Sequence, residues 1–489
     1  MQQVFTHLFE PRSIVFIGAS QHLFKWGFSV LHHIVSGGFE GEIYPVNPNG
    51  GSWYGRKVYK DLDEVPDNID LAIIVVKKEI VLETIRRCAG KNIPVGIVIT
   101  AGFSETGREG SIIEKEIVKI AGSGGMRLVG PNTMGVFSGY PTCMHAIMAG
   151  THIRPGDVGL IAQSGNLGSS ISYRFVRRGI GISRLISSGN EADLKLEDYL
   201  ELLEHDPKTR LISLYVEGVR QGQRFFEAAK RISKKKPILV LKGGTTPSGA
   251  DAAMSHTGAM AGDDAVFKAM CRQTGIIDAD TMDEMVDTAG MLLTQPRPTG
   301  NKAGIVSLGG GWGVIATDMC VSSGLKIAPL GKEVVEKIDK ILPSYWSRKN
   351  PIDLVAPNRV TQITDSIGIL LEHGTIDAAL VLGLGYMSLR AKKWLDSPVI
   401  PKSNAVESAR LMSAEEMKLF DLIKAQSKKY NKPIIPVIDI MASDVAMDND
   451  NNTLVNYLDR KGIMSYSAPG MAIRALAKVV DYYKRIEYL

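Results

Sequence analysis

The chain has 489 residues, 44% of them apolar, a formal net charge of +5 and four cysteines. That length predicts about three domains of ordinary size, each with a real core, and excludes general disorder. The charge is mild, so it suits an anionic small ligand and argues against nucleic acid, which calls for a concentrated basic stripe. Cys88, Cys143, Cys271 and Cys320 are far apart with no Cys-x-x-Cys pair. This argues against a metal site or a disulfide framework and fits a reducing compartment. The first apolar stretch, Phe5 to Ile17, is broken by Glu10, Pro11 and Arg12, which is no signal peptide. No apolar run approaches the ~20 residues of a membrane span. A soluble, cytoplasmic protein is expected, with no membrane partner.

Over residues 1–145, apolar runs alternate with helical patterns. Ser13 to Ile17 ends in the small-residue turn Gly18-Ala-Ser20, and Trp26 to Ser36 is helical. Further strands end at Val46-Asn-Pro48, Val75-Val-Lys77 and Thr100-Ala-Gly102, with helices near 79–91 and 109–122 between them. The apolar run from Asp70 to Val76 is continuous, as a parallel strand covered on both faces should be. This alternation predicts a Rossmann-like α/β domain whose ligand lies at the carboxyl ends of the strands. The candidate binding residues are therefore Gly18, Ala19, Ser20, Asn47, Pro48, Val75, Val76, Thr100, Ala101 and Gly102. After Gly18 the next glycine is Gly27, so the dinucleotide fingerprint Gly-x-Gly-x-x-Gly is absent and a nicotinamide cofactor is disfavoured. Lys25 and Lys77 read either as phosphate partners or as solvated surface charges.

Residues 146–295 predict a second α/β domain, flavodoxin-like. The strand to Ala162 runs into Gln163-Ser-Gly-Asn-Leu-Gly168 and then a helix to about Arg178. A strand, a Ser/Gly turn and a helix N-terminus form an anion site at Ser164, Gly165 and Asn166, or else an ordinary tight turn. Ile186-Ser-Ser-Gly-Asn190 repeats the pattern, adding Asn190. The strand from Leu211 ends in Glu217, and the strand from Pro237 leads to Ser248-Gly-Ala-Asp-Ala-Ala-Met-Ser-His256-Thr-Gly-Ala-Met-Ala-Gly262. Asp263 then reads as the cap of a helix closed by Gly275. A lone histidine in such a loop is, on general grounds, more often a surface or turn residue than a catalytic one. Chemically, its neutral imidazole can attack phosphorus while a carboxylate holds the other ring N–H and fixes the tautomer. Glu217 is the candidate for that carboxylate; the bland alternative pairs it with Arg220. The turn, Asn190, Glu217 and the histidine loop should collect on one sheet edge, a convergence hard to explain by packing.

After the polar linker Thr294 to Asn301, residues 300–489 predict another flavodoxin-like domain. Its strands follow Lys302, Asp377 and Lys432, and its glycine turn is Gly309-Gly-Gly-Trp-Gly313. The segment 391–431 is expected to be helix and loop.

Ser255-His-Thr-Gly-Ala-Met-Ala-Gly262 closely resembles the phosphohistidine loop of the ADP-forming (NDP-forming) acyl-CoA synthetases, relatives of succinyl-CoA synthetase. Phe9-Glu-Pro-Arg-Ser-Ile-Val-Phe-Ile-Gly-Ala-Ser20, Ile99-Thr-Ala-Gly-Phe-Ser-Glu-Thr-Gly107 and Gly130-Pro-Asn-Thr-Met-Gly135 resemble the CoA-binding domain of the same family. Gly309 to Gly313 and Asn350-Pro-Ile-Asp-Leu354 resemble its third domain. Thr133 stands where the family has cysteine, and Trp312 where proline is common. The resemblance implies CoA in the first domain, near Gly18 to Ser20, and phosphoryl transfer through His256 with Glu217 beside it. It also implies an acyl site and assembly surface shaped by the third domain. Because no ATP-grasp-like stretch follows, it implies an α-type chain with an ATP-grasp β-type partner, in an α2β2 assembly, which holds ADP/ATP and Mg2+. The expected reaction is acyl-CoA + ADP + phosphate ⇌ carboxylic acid + CoA + ATP. The rival readings are a non-catalytic CoA-binding protein of the same fold and a Rossmann dehydrogenase.

Overall fold

The computed structural model describes residues 2–148, 153–249, 263–355, 359–443 and 453–489. The chain forms two compact units: Met1–Val176 with Ile180–Met282 and Leu489, and Arg177–Gly179 with Asp283–Tyr488. The first unit holds two large sheets and the second holds one.

In the first sheet the order is Glu42–Val46, Ser13–Ile17, Leu71–Ile74, Val95–Val98, Arg127–Val129, all parallel. Ser13–Ile17, Leu71–Ile74 and Val95–Val98 are buried at every position, because crossover helices cover both faces of a parallel sheet. Those helices are Trp26–Ser36, Lys78–Gly90 and Arg108–Ser123. An antiparallel pair, Gly51–Trp53 with Arg56–Val58, was not legible in the sequence.

The second sheet runs Ile277–Ala279, Ile238–Lys242, Leu211–Val216, Pro155–Ala162, Ile182–Ser187, Gly135–Ser138, Met144–Ile147. The first five are parallel and the last two antiparallel. The pair Gly135–Ser138 and Met144–Ile147 straddles the expected boundary at residue 145 and is hydrogen-bonded into the second sheet. One apolar cluster, including Phe16, Ile97, Val136, Ile161 and Leu214, spans both sheets. Arg184, fully buried, adds a polar tie: it pairs with Asp206 at 3.1 Å and Glu10 at 3.2 Å, beneath the rings of Phe5 and Phe9. The helix Asp264–Thr274 begins as the sequence indicates. Asp263 accepts from the N–H groups of Ala265 (2.8 Å) and Val266 (3.1 Å), and Gly275 closes it in the left-handed region.

The sheet of the second unit runs Lys326–Ile327, Lys302–Ser307, Ala378–Leu384, Ile434–Ile438, with Ile352–Asp353 paired to Lys302–Ser307. The segment 391–431 resolves into parts of two helices, Tyr386–Leu395 and the 29-residue Lys402–Tyr430. Glu416, fully buried on the long helix, accepts from the N–H groups of Ser388 (2.7 Å) and Met387 (3.3 Å). It thereby caps the shorter helix from outside. Among the described residues, no helix is long and apolar enough to cross a membrane.

Ser13–Ile17 lies between Glu42–Val46 and Leu71–Ile74, Pro155–Ala162 between Ile182–Ser187 and Leu211–Val216, and Lys302–Ser307 between Lys326–Ile327 and Ala378–Leu384. In each sheet a crevice opens at the carboxyl ends of that inner strand and the later of its two neighbours, where connections leave to opposite faces.

Candidate active site

In the first sheet the crevice lies between Gly18 and Val75. Gly18 has φ +102°, and a Cβ there would meet the Val75 carbonyl oxygen at 2.0 Å. The backbone passes so close that only glycine fits. The N–H groups of Gly18 and Ala19 donate to the Val46 carbonyl at 3.0 and 3.2 Å, and Asn47 Nδ2 donates to the Ala19 carbonyl at 2.7 Å. Trp53 Nε1 donates to the Ser20 carbonyl at 2.9 Å. Gly18, Ala19 and Asn47 therefore shape the turn, leaving later positions to meet a ligand. Lys25 and Lys77 are both exposed, and each is the residue before a helix on this edge, Trp26–Ser36 and Lys78–Gly90. Two helix N-termini, each with a lysine at its cap position, create a local positive field suited to phosphates. Val75 and Val76 are half-buried, Ala101 is exposed, and Thr100 Oγ1 donates to the Val76 carbonyl at 2.6 Å.

In the second sheet the two strands flanking the crevice, Pro155–Ala162 and Leu211–Val216, lead directly into Gln163 and Glu217. Gln163 Oε1 accepts from the N–H groups of Glu217 (2.6 Å) and Gly218 (3.1 Å). Its Nε2 donates to the Gly218 carbonyl (2.8 Å) and to Glu191 Oε1 (3.1 Å). Glu217 is 7% exposed. Tyr215, two residues earlier on the same face, shares a side-chain hydrogen bond with it, and burial and Glu217 raise the phenol so that it stays a neutral donor. Arg220 Nη2 instead reaches the Asn190 carbonyl, at 3.0 Å.

Beside Gln163 the helix Gly165–Arg177 begins. Ser164 and Gly165 are half-buried and Asn166 is exposed, so the first turn of N–H groups opens toward solvent. A Cβ on Gly165 would strike Met134 Cγ at 2.3 Å, so the motif ending in Gly135 braces this turn. Thr133 earns its place there: its hydroxyl donates to the Ser187 carbonyl and accepts from the Gly135 N–H at 2.9 Å. Asn190 is fully engaged elsewhere. Its amide donates to Glu105 and, at 2.8 Å, to Glu114, while its oxygen accepts from Asn132 at 3.1 Å. Burial pushes Glu105 up, but the bonds from Gly102, Asn190 and Phe103 outweigh it and hold this carboxyl below its usual range. Asn190, expected from the sequence to receive a phosphate, braces the two α/β layers of the first unit with these bonds.

His256 lies outside the described residues, with the rest of 250–262. The strand Ile238–Lys242 that leads toward it runs alongside the Glu217 strand, with Val216 opposite Lys242. Gln163, Ser188 and Glu191 were not singled out from sequence. Gln163 could have been, since it immediately precedes the anion turn.

The second unit has its own crevice, a cavity of about 950 Å³. Leu308, Gly309 and Gly383 line it at the strand ends, Trp312, Tyr386 and Met412 on the helices, with Arg359 and Arg390 as cations. The Asn350-Pro motif supports it: Asn350 bonds the carbonyls of Ala303 (3.0 Å) and Ala328 (2.9 Å) and the Ile305 N–H (3.0 Å), locking neighbouring strands.

Two family models match the chain: "CoA binding domain" over residues 12–138 and "Succinyl-CoA ligase like flavodoxin domain" over residues 155–292. The alpha subunit of ADP-forming acetate–CoA ligase II from Pyrococcus furiosus is 40% identical over 77% of this chain and 81% of its own length. The alpha subunit of the ADP-forming acetate–CoA ligase I of the same organism is 36% identical over 98% of this chain and 97% of its own. Among solved structures, a dinucleotide-forming acetyl-coenzyme A synthetase 1 from Ca. Korarchaeum cryptofilum, in complex with phosphate and ADP, superposes with TM-score 0.84. It is 30% identical and covers 99% of this chain and 98% of that one.

Proposed function

We propose a function from one premise: this chain belongs to the family of alpha subunits of ADP-forming acyl-CoA synthetases. It acts as the CoA-binding, phosphoryl-carrying subunit that interconverts acyl-CoA, phosphate and ADP with a carboxylic acid, CoA and ATP. The observation that carries this is the placement of Glu217. It is buried at the crevice of the second sheet, held by Gln163 and Tyr215, beside an anion turn and the strand that leads to residues 250–262.

CoA fits the first crevice, because Gly18 lets the turn fold tightly against Val75 and Lys25 and Lys77 add charge to two helix N-termini. When bound, CoA supplies the thioester sulfur that leaves as the acyl group passes to phosphate. Ser164, Gly165 and Asn166 receive phosphoryl oxygens at the second crevice. His256 takes the phosphoryl group from the acyl phosphate, the P–O bond to the acyl oxygen breaking as the P–N bond forms. Glu217 holds the remaining ring N–H and offsets the positive charge. An ATP-grasp partner, in an α2β2 assembly in the cytoplasm, supplies ADP and Mg2+. The cavity of the second unit takes the acid, its arginines facing the carboxylate and Trp312, Tyr386 and Met412 the tail.

The test is labelling of the purified chain with radioactive phosphate and a panel of acetyl-, isobutyryl-, phenylacetyl- and succinyl-CoA, with His256→Ala and Glu217→Gln beside the wild type. Acid-labile, base-stable label on the wild type, absent from His256→Ala and sharply reduced in Glu217→Gln, is the expected result. Full labelling of Glu217→Gln removes its role. No label on the wild type, even with an ATP-grasp partner and ATP, leaves a CoA-binding protein without this chemistry.

A further inference from the structure

Ser188, Gln163 and Glu191 form a chain of hydrogen bonds, buried at Ser188 and Glu191, that ends on the backbone of Glu217. Ser188 Oγ donates to Glu191 Oε1 at 2.8 Å, and Gln163 Nε2 donates to the same oxygen at 3.1 Å. The orientation of the Gln163 amide is unambiguous. One end meets two N–H donors, Glu217 and Gly218, and the other meets two acceptors, the Gly218 carbonyl and Glu191. A reversed amide would oppose like groups at all four contacts. Glu191 itself is 2% exposed and has φ +53°. A buried non-glycine residue in that left-handed region is uncommon and persists where the surroundings over-determine it.

We propose that Glu191 is a positioning residue for phosphoryl transfer: through Gln163 it sets the direction in which the Glu217 carboxylate leaves its strand. This rests on the reading of Glu217 and His256 given above. Without the Glu191 acceptor, the Gln163 amide keeps its three contacts with Glu217 and Gly218 but loses the one that ties it to a buried anchor, so amide and strand end can shift together. Glu217 then keeps its burial but loses its aim. Burial raises the Glu191 carboxyl to about 7, against the opposing bonds from Ser188 and Gln163. Either protonation state leaves a lone pair on Oε1 for both donors, so the anchor holds across neutral pH. Glu197, which raises the Glu191 carboxyl, and Arg220, which lowers it, are the charges that face it.

The experiment measures single-turnover labelling of the full chain by radioactive phosphate, using whichever CoA thioester of the same panel labels the wild type fastest. Wild type, Glu191→Ala, Glu191→Gln and Ser188→Ala are compared. Glu191→Ala should label about 10- to 100-fold more slowly, the scale of a sub-ångström to 1 Å misplacement. Its half-saturating thioester concentration should stay within about 2-fold, since the CoA crevice is untouched. Glu191→Gln keeps an acceptor oxygen for both donors and should recover to within about 3-fold of wild type. Ser188→Ala leaves the Gln163 contact in place and should fall between them. Equal rates for wild type and Glu191→Ala overturn the inference alone. So does a Glu191→Gln variant as slow as Glu191→Ala, or loss of thioester affinity in parallel with rate, each marking a merely structural role. Should Glu191→Ala not fold, the Glu191→Gln and Ser188→Ala rates decide. A wild type that takes no label, even with an ATP-grasp partner and ATP, overturns the phosphohistidine reading, and the inference with it.

Discussion

Replacing Gly18 with alanine separates the two halves of the proposed reaction. The new Cβ would stand 2.0 Å from the Val75 carbonyl oxygen, where contacts under 3.0 Å are essentially unknown. The Ser13–Ile17 and Leu71–Ile74 strand ends must therefore part by about 1 Å in a close-packed sheet, at a cost of roughly 1–3 kcal/mol. The φ of +102° adds about 1–3 kcal/mol for any residue with a side chain. If about 2 kcal/mol of this falls on the crevice, the CoA half-saturation concentration rises about 30-fold. The Glu217 crevice is at another sheet edge, so labelling of His256 from an acyl phosphate, which needs no CoA, should persist. The assay compares both routes in Gly18→Ala and wild type, with thermal unfolding as the check on folding. An unchanged CoA requirement with an unchanged melting temperature would refute the crevice assignment.

Arg184→Met leaves Asp206 buried without its cation and should lower the stability of the first unit by about 3 kcal/mol; urea unfolding measures it, and a loss under ~1 kcal/mol would show the pair to be dispensable. Glu204 is held down at about 2 by hydrogen bonds from Arg231 and then Lys235, against a partly opposing burial. A carboxyl depressed in the folded state stabilises above its unfolded value, so that contribution should fade as pH drops from about 5 toward 2. The stability gap between wild type and Glu204→Gln should narrow over that window; a gap independent of pH would contradict it. Trp312→Ala widens the cavity of the second unit and should raise kcat/KM for phenylacetate relative to acetate by about 10-fold or more; an unmoved ratio would take Trp312 out of the acid pocket.

Much of the architecture is legible along the chain. Runs such as Leu71 to Ile74 are apolar throughout because both their faces are covered, and the turns that follow them are small or polar because they face a ligand edge. Asp263 and Gly275 mark the two ends of their helix, because capping depends on neighbours a few residues away. For the same reason Gly18, Ser164 and Glu217 could be named as candidates: each ends a strand, and the ends of parallel strands share one edge. Periodicity does not reveal what each side chain faces across the sheet. Gln163 and Glu217 are 54 residues apart in sequence, and only the order of the strands makes them neighbours. Asn190 looked like a phosphate ligand from its glycine turn. In the folded chain its amide donates to Glu105 and Glu114, on a turn and a helix that flank the other sheet, carboxylates that no local pattern ties to it. Sequence by itself determined the repeated α/β layers and the edges on which chemistry can occur, because burial writes its period into every strand. Tertiary structure alone decided which polar groups meet there, because a hydrogen bond depends on direction, and direction at a strand end is set by partners distant in the chain.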